Sequence, residues 1–327
     1  MRETLQWHPA AVRAHRDLSP SVREFELRPE GGVRPWTAGS HLDVRVTIAG
    51  RAETRSYSLV GHPGVDGDAY RIAVRRAQPG RGGSRFMWAL ETGDELLIGE
   101  PNNHFELAFG APQVLLVAGG IGITPIVGMA LQLAERRADL RLCFAARSAP
   151  ELVYADLLAP VLGERMQTFV GEAGERLDLA AEIDALAPGA TLYACGPLRL
   201  LEAARAAWDS AGRPAADLRF ETFGNSGAHA AEPFWVELPR HGLRLEVPAE
   251  RSLLDVLEEA GVATLNDCRR GECGLCALDI VSVSGSVDHR DVFFSAAQKR
   301  ANERLCACVS RVAGGGIVLD TAYRPED

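Results

Sequence analysis

Three of the chain's seven cysteines stand within the run Cys-Arg-Arg-Gly-Glu-Cys-Gly-Leu-Cys, from Cys268 to Cys276. The spacing is C-x4-C-x2-C, with Gly271 and Gly274 between the thiols. Thiols gathered this closely bind a metal or carry redox chemistry wherever disulfides are disfavoured. So short a loop must turn sharply to aim its sulfurs inward. Its amides must point the same way to offset the sulfurs' negative charge, and glycine permits such turns because it tolerates positive φ. Two more thiols follow in Arg-Leu-Cys-Ala-Cys-Val-Ser-Arg-Val, where Cys306 and Cys308 would share one face of a strand.

The spacing is that of plant-type [2Fe–2S] ferredoxins, which need one further, distant cysteine. Zinc is the competing reading, but zinc sites pair two short ligand units, and no second pair of that kind is present. Spacing alone leaves Cys306 and Cys308 both open as the fourth ligand. Upstream, Ser252 offers an N-cap to a helix with Leu253, Leu254 and Leu257 on one face and Gly261 past its end. Before it, Phe-Trp-Val-Glu-Leu-Pro-Arg-His-Gly-Leu-Arg-Leu-Glu-Val alternates around a turn and reads as a hairpin. Hairpin, helix, cysteine loop and late cysteine predict a compact α+β ferredoxin-like domain over residues 233–327.

The source of electrons is sought in the run Gln-Val-Leu-Leu-Val-Ala-Gly-Gly-Ile-Gly-Ile-Thr-Pro. Gln113 to Ala118 reads as a buried parallel strand, and Gly119, Gly120 and Gly122 as a tight turn. Thr124 is placed to cap the next helix, with Pro125 at its first position. A strand, a glycine turn and a helix N-terminus form an anion site, because free amides and the helix dipole favour phosphate. The competing reading is a tight turn with no ligand. Two more strands, 140–148 and 190–197, end in Arg147-Ser148 and in Cys195-Gly196-Pro197. Each precedes a helical pattern. Alternating strands and helices imply a parallel sheet with ligands at the strands' C-terminal ends. Arg147 could meet a ribose or phosphate there, though a lone arginine is commonly just solvated. Cys195 could sit near a nicotinamide, while buried free cysteines, Cys143 included, mostly act as small hydrophobes.

A nicotinamide yields two electrons together and a [2Fe–2S] cluster takes one, so a flavin is expected between them. Residues 1–108 hold short alternating segments separated by turns, as in a small antiparallel barrel. Arg-Ser-Tyr-Ser, Arg55 to Ser58, offers a cation for a phosphate, a ring for a flavin face and a hydroxyl for a ring edge. Gly80 to Ser84 leads into a helical pattern, Phe-Met-Trp-Ala-Leu-Glu-Thr-Gly-Asp, and is a second phosphate cradle or else a plain loop.

Composition excludes other classes. The chain has 327 residues, 46% hydrophobic and 24% charged, with a net charge of −9. That argues against a nucleic-acid surface. No apolar run is long enough for a membrane span, and the N-terminus lacks an apolar leader, so a cytoplasmic location is expected.

In order, Arg-Ser-Tyr-Ser-Leu, Arg-Gly-Gly-Ser, Ala-Gly-Gly-Ile-Gly-Ile-Thr-Pro, Ala-Cys-Gly-Pro, Phe-Glu-Thr-Phe-Gly, the cysteine loop and Cys-Val-Ser-Arg resemble the phthalate dioxygenase reductases and vanillate O-demethylase reductases. The resemblance runs over nearly the whole chain. It implies a multidomain fold: an FMN-binding antiparallel β-barrel over 1–108, an NADH-binding α/β parallel-sheet domain over 109–226, and a β-grasp plant-type [2Fe–2S] domain over 233–327. It implies hydride transfer from NADH to FMN and single electrons passed on to a Rieske-type terminal oxygenase. By the same resemblance Arg55 binds the FMN phosphate with Gly82, Gly83 and Ser84. Tyr57 and Ser58 line the ring, and Ser56, Val74 and Arg81 belong to the same surround. Gly119, Gly120, Gly122, Thr124, Pro125 and Arg147 face the dinucleotide, Cys195, Gly196 and Pro197 close its site, and Phe223 lies against the flavin. The ligand set is Cys268, Cys273, Cys276 and, because it precedes Val-Ser-Arg, Cys308. No general acid or base is called for, since the work is positioning.

Three further expectations complete this reading. The chain acts as a monomer, with a terminal oxygenase as partner and neither nucleic acid nor membrane. The segment 224–233, Gly-Asn-Ser-Gly-Ala-His-Ala-Ala-Glu-Pro, is a flexible tether, with a docked linker as the alternative. Rival readings are a reductase for a cytochrome P450, a cluster-based redox sensor, and a zinc-bearing interaction module.

Overall fold

The computed structural model describes residues 6–64, 67–77, 82–223, 227 and 229–321. Met1–Gly196 with Leu200–Glu221 forms one compact unit, and Pro197–Arg199 with Thr222–Asp327 a second.

In the first unit the alternating segments become β1 (His8–Ser19), β2 (Val22–Pro29), β3 (His41–Ile48), β4 (Arg51–Ser58), β5 (Tyr70–Arg75) and β6 (Glu95–Ile98), with helix α1 (Gly83–Trp88) before β6. They form one antiparallel sheet in the order β4-β3-β6-β1-β2-β5. A bridge between Leu59 and Ile72 joins its two edges and closes the barrel. Inward residues of each strand, among them Phe25, Leu42, Val44, Leu59 and Ile72, fill the interior. The helix is shorter than the sequence pattern predicts. It stops at Trp88 because the Ala89 amide bonds to both Arg85 O and Phe86 O, after which Gly93 turns at φ 98°.

The same unit holds a parallel sheet built from β7 (Val114–Gly119), α2 (Ile123–Glu135), β8 (Leu140–Ala146), α3 (Ala155–Leu162), β9 (Met166–Val170), α4 (Leu179–Asp184), β10 (Thr191–Cys195), α5 (Leu198–Ser210) and β11 (Leu218–Glu221). Strand order is β11-β10-β7-β8-β9 and every neighbour is parallel. All six residues of β7 are buried, as a strand covered on both faces must be. The tip of the loop before α3 ties this sheet's helical layer to the barrel: the Tyr154 hydroxyl donates to Glu24 at 2.7 Å.

The second unit carries a mixed sheet. Its elements are β12 (Phe234–Leu238), β13 (Leu243–Val247), α6 (Leu253–Glu259), β14 (Ala277–Asp288), α7 (Ala296–Ala301), β15 (Arg304–Cys306) and β16 (Arg311–Asp320), in the order β13-β12-β16-β14-β15. The hairpin β12–β13 is antiparallel, β16 returns parallel to β12, and α6 packs its Leu253, Leu254 and Leu257 into the core, which is the β-grasp arrangement. Ser252 caps α6 in a capping box with Asp255. Among the described residues no helix is long and apolar enough to cross a membrane.

Candidate functional site

The cysteine loop joins α6 to β14, so a core-packed helix fixes one end and the sheet the other. Within it the chain turns left-handed at Arg269 (φ 51°), Gly271 (φ 77°) and Gly274 (φ 72°). Those turns roll the backbone around Cys268. Its Sγ accepts from the amides of Arg270 at 3.5 Å, Glu272 at 3.4 Å and Cys273 at 3.3 Å. Burial pushes the Cys268 thiol up, and the three amides pull it back. The Cys273 backbone amide thus faces the Cys268 sulfur, and the sulfurs of Cys276 and Cys308 lie 3.2 Å apart. Hydrogen bonds from Cys306 and then Cys308 push the Cys276 thiol down to about 3. Cys276 and Cys308 thus stand sulfur to sulfur, with Cys306 also hydrogen-bonded to Cys276. Among the described residues no three His, Cys, Asp or Glu side chains converge on one ion. Cys306 ends β15 opposite Ala277 and is fully buried, as is its neighbour Ala307.

The fit to a cluster is also steric. A Cβ on Gly271 would lie 2.6 Å from Val309 Cγ2 and 2.9 Å from Asp291 Cα, and one on Gly274 would lie 2.3 Å from the Phe293 ring. The Gly271 carbonyl accepts from the amides of Val292 at 3.0 Å and Phe293 at 3.2 Å. Asp291 anchors that second loop. Fully buried, it accepts from the Phe294 amide at 2.8 Å and lies 3.4 Å from Ser310 Oγ and 3.6 Å from His289 Nδ1.

In the first unit the glycine turn sits where β7 ends. Gly120 has φ 53°, and a single 3₁₀ turn, Gly120–Gly122, leads into α2. Gly122 therefore takes the cap position expected for Thr124. Thr124 lies one residue inside the helix, buried, and its hydroxyl bonds back to Ile121 O at 3.0 Å. Pro125 is two residues inside the helix and buried. A Cβ on Gly122 would fall 2.3 Å from Cys195 O, and one on Gly196 3.0 Å from Gly119 Cα. Gly119, Gly122, Cys195 and Gly196 are thus packed backbone on backbone at the C-terminal ends of β7 and β10. Pro197 follows directly before α5. Arg147, at the end of β8, points outward and pairs with Glu172 at 3.3 Å.

On the barrel, Arg55 lies along β4 and its stem rests on the start of α1. A Cβ on Gly83 would be 2.8 Å from Arg55 Cγ. Gly82, at φ 84°, is the helix N-cap. The Ser84 hydroxyl accepts from the Ala77 amide at 3.1 Å. The Arg55 guanidinium donates to Thr54 O at 2.7 Å and lies 3.5 Å from Glu53. Ser56 Oγ donates to Asp43 at 2.5 Å. Burial raises the Tyr57 phenol well above its ordinary value. Val74 belongs to the barrel's apolar interior. Arg81 lies outside the described residues.

Two carboxylates, one fully buried and one partly buried, are not among the expected site residues. Glu221, the last residue of β11, is 0% exposed and accepts from Ser58 Oγ at 3.3 Å. It stands in the Phe-Glu-Thr-Phe-Gly run that also holds Phe223, and a carboxylate closing an otherwise short strand was its sequence signal. Glu272, inside the cysteine loop, accepts from the Thr222 amide at 2.6 Å and lies 3.6 Å from Arg270, while burial pushes its carboxyl up.

The comparisons agree with this geometry. The 2Fe-2S iron-sulfur cluster binding domain family matches residues 236–313. The beta subunit of a heme-dependent oxidative N-demethylase from Ectopseudomonas mendocina is 39% identical, over 94% of this chain and 97% of the relative. A solved phthalate dioxygenase reductase, described as a modular structure for electron transfer from pyridine nucleotides to [2Fe–2S], is 32% identical with a TM-score of 0.76, over 96% of this chain and 98% of that one. An intact type IV self-sufficient cytochrome P450 monooxygenase is 31% identical with a TM-score of 0.67, and the chain spans 43% of its length.

Fold and site define a modular electron-transfer oxidoreductase with a plant-type [2Fe–2S] domain. The chain belongs to the phthalate dioxygenase reductase family, the reductase components of oxygenase systems. The cofactor set expected from the sequence, FMN, NADH and a [2Fe–2S] cluster, is that of this family.

Proposed function

We propose that the chain is the NADH-dependent FMN/[2Fe–2S] reductase of a Rieske-type oxygenase system acting on an aromatic or similar small molecule. The observation that carries the reading is the match in sequence and fold to phthalate dioxygenase reductase over nearly the whole of both chains. Residues 1–108 hold FMN, 109–226 NADH and 233–327 the cluster. Arg55, Gly82, Gly83 and Ser84 hold the flavin phosphate. Tyr57, Ser58 and Phe223 line its ring, and Glu221 orients the Ser58 hydroxyl. The backbone at Gly119, Gly120, Gly122 and Gly196 admits the dinucleotide close to the sheet edge, with Thr124, Cys195 and Pro197 around it. Cys268 with Cys273 holds one iron and Cys276 with Cys308 the other. When bound, FMN converts two-electron to one-electron chemistry and the cluster carries single electrons. The chain's own residues position these groups and exclude water. The protein works as a monomer in the cytoplasm.

A heme-type oxygenase is the second reading for the partner. It is favoured by the N-demethylase relative and by the self-sufficient P450, both of them heme systems by name. Capture of the partner from the native host on immobilised reductase separates the two. A captured protein with a Rieske-type [2Fe–2S] EPR signal supports the first reading. A Soret band on the captured protein overturns it in favour of the second.

A further inference from the structure

The composition of residues 224–233 reads as a free tether, but contacts within the second unit point elsewhere. At the near end, the Glu272 carboxylate takes the Thr222 amide at 2.6 Å. Gly227 lies so close to a buried ion pair that a Cβ on it would fall 2.3 Å from both Arg290 Nε and Asp288 Oδ2. Arg290 donates to His229 O at 2.9 Å, and at the far end Arg311 donates to Glu232 O at 2.9 Å. The clasps are themselves buried: Arg290 is 8% exposed, Arg311 5% and Asp288 3%. Arg290 pairs with Asp288 at 2.7 Å, and Arg311 also donates to Pro248 O at 2.8 Å.

Buried guanidiniums are costly unless acceptors surround them. Here main-chain carbonyls of the connecting segment are among those acceptors, so lifting the segment away would strand buried donors. The segment in turn accommodates the ion pair only because residue 227 has no side chain. Gly227 carries no positive φ, so space and not backbone conformation is what requires glycine there. A stretch fastened at both ends to one body adds a loop to that body.

Residues 224–226 and 228 of the expected tether lie outside the described residues; we propose that the described ones, Thr222, Gly227 and 229–232, form a strap on the cluster-bearing unit, clasped by Glu272, by the Arg290–Asp288 pair and by Arg311. The cluster loop supplies the first clasp, so the segment leaving β11 and the loop around the thiols move together.

Gly227→Val tests this in the holo-protein. A free tether is indifferent to a valine at this position, whereas a strap is not. Proteinase K cleavage is mapped by mass spectrometry at the bonds from 227 to 232, with a free peptide of residues 222–233 as the reference. The wild type should be cut there at least about tenfold more slowly than the peptide, and Gly227→Val should lose about that much protection. Its NADH–ferricyanide activity should stay unchanged. Loss of the cluster chromophore in Gly227→Val would also support the strap, since no tether side chain should reach that unit. The double variant Asp288→Asn/Arg290→Met should open the same bonds. Wild-type cleavage as fast as the peptide's, or a Gly227→Val pattern identical to wild type with the double variant equally protected, overturns the proposal.

Discussion

The nucleotide turn of the first unit and the cysteine loop of the second are both rich in glycine, for different physical reasons. At Gly122 the neighbours are backbone atoms, Cys195 O at 2.3 Å from the position of a Cβ, and at Gly196 they are Leu200 Cδ2 at 2.9 Å and the Gly119 backbone, its Cα at 3.0 Å. Backbone in the middle of a parallel sheet has nowhere to go. At Gly274 the neighbour is the ring of Phe293, a side chain 40% exposed, and the glycine is needed chiefly for its φ of 72°. One site uses glycine to bring two strand ends together; the other uses it to curl amides around a sulfur. The first should be intolerant of any side chain. At Gly274 the second should tolerate a small one at moderate cost, provided its thiols are kept, whereas Gly271 also meets backbone, Asp291 Cα at 2.9 Å.

The thiols carry the largest expected effect. Cys308→Ser should lose the cluster chromophore while NADH–ferricyanide turnover persists, and Cys306→Ser should keep both. The reverse pattern in visible absorbance and iron content would transfer the fourth ligand to Cys306. Next comes Gly122→Ala. A methyl group against Cys195 O must displace a strand end, so kcat/KM for NADH should fall by about a hundredfold with the cluster spectrum intact. Arg55→Ala should weaken flavin binding by about 2 kcal/mol, the worth of a charge-assisted hydrogen bond, read by fluorescence of released flavin. The smallest effect is expected at Gly274→Ala. Left-handed backbone on alanine costs about 1 kcal/mol, and the half-exposed ring can swing aside, so the cluster stays and thermal stability of its unit drops by a few degrees. If Gly122→Ala proves milder than Gly274→Ala, the contrast between the two sites is wrong.

Much of this was legible in the sequence because it depends on local spacing. The C-x4-C-x2-C run, the buried strand of β7 and the capping serine of α6 each declare themselves within a few residues. The cap of α2 did not, because the 3₁₀ turn at Gly120–Gly122 takes the place that Thr124 and Pro125 seemed made for. Glu221 and Glu272 were hidden for another reason. Their partners, Ser58 and Thr222, stand 163 and 50 positions away, and only the assembled sheets bury these carboxylates. The contact between Arg290 and the connecting segment was equally out of reach of local reading, since the His229 carbonyl stands 61 positions away.

The most direct test of the account is an anaerobic NADH titration of the purified, pigmented protein, followed by absorbance and low-temperature EPR. The account predicts bleaching of the flavin together with a rhombic [2Fe–2S] signal from the same chain. Flavin bleaching without that signal, in protein of full iron content, would contradict it.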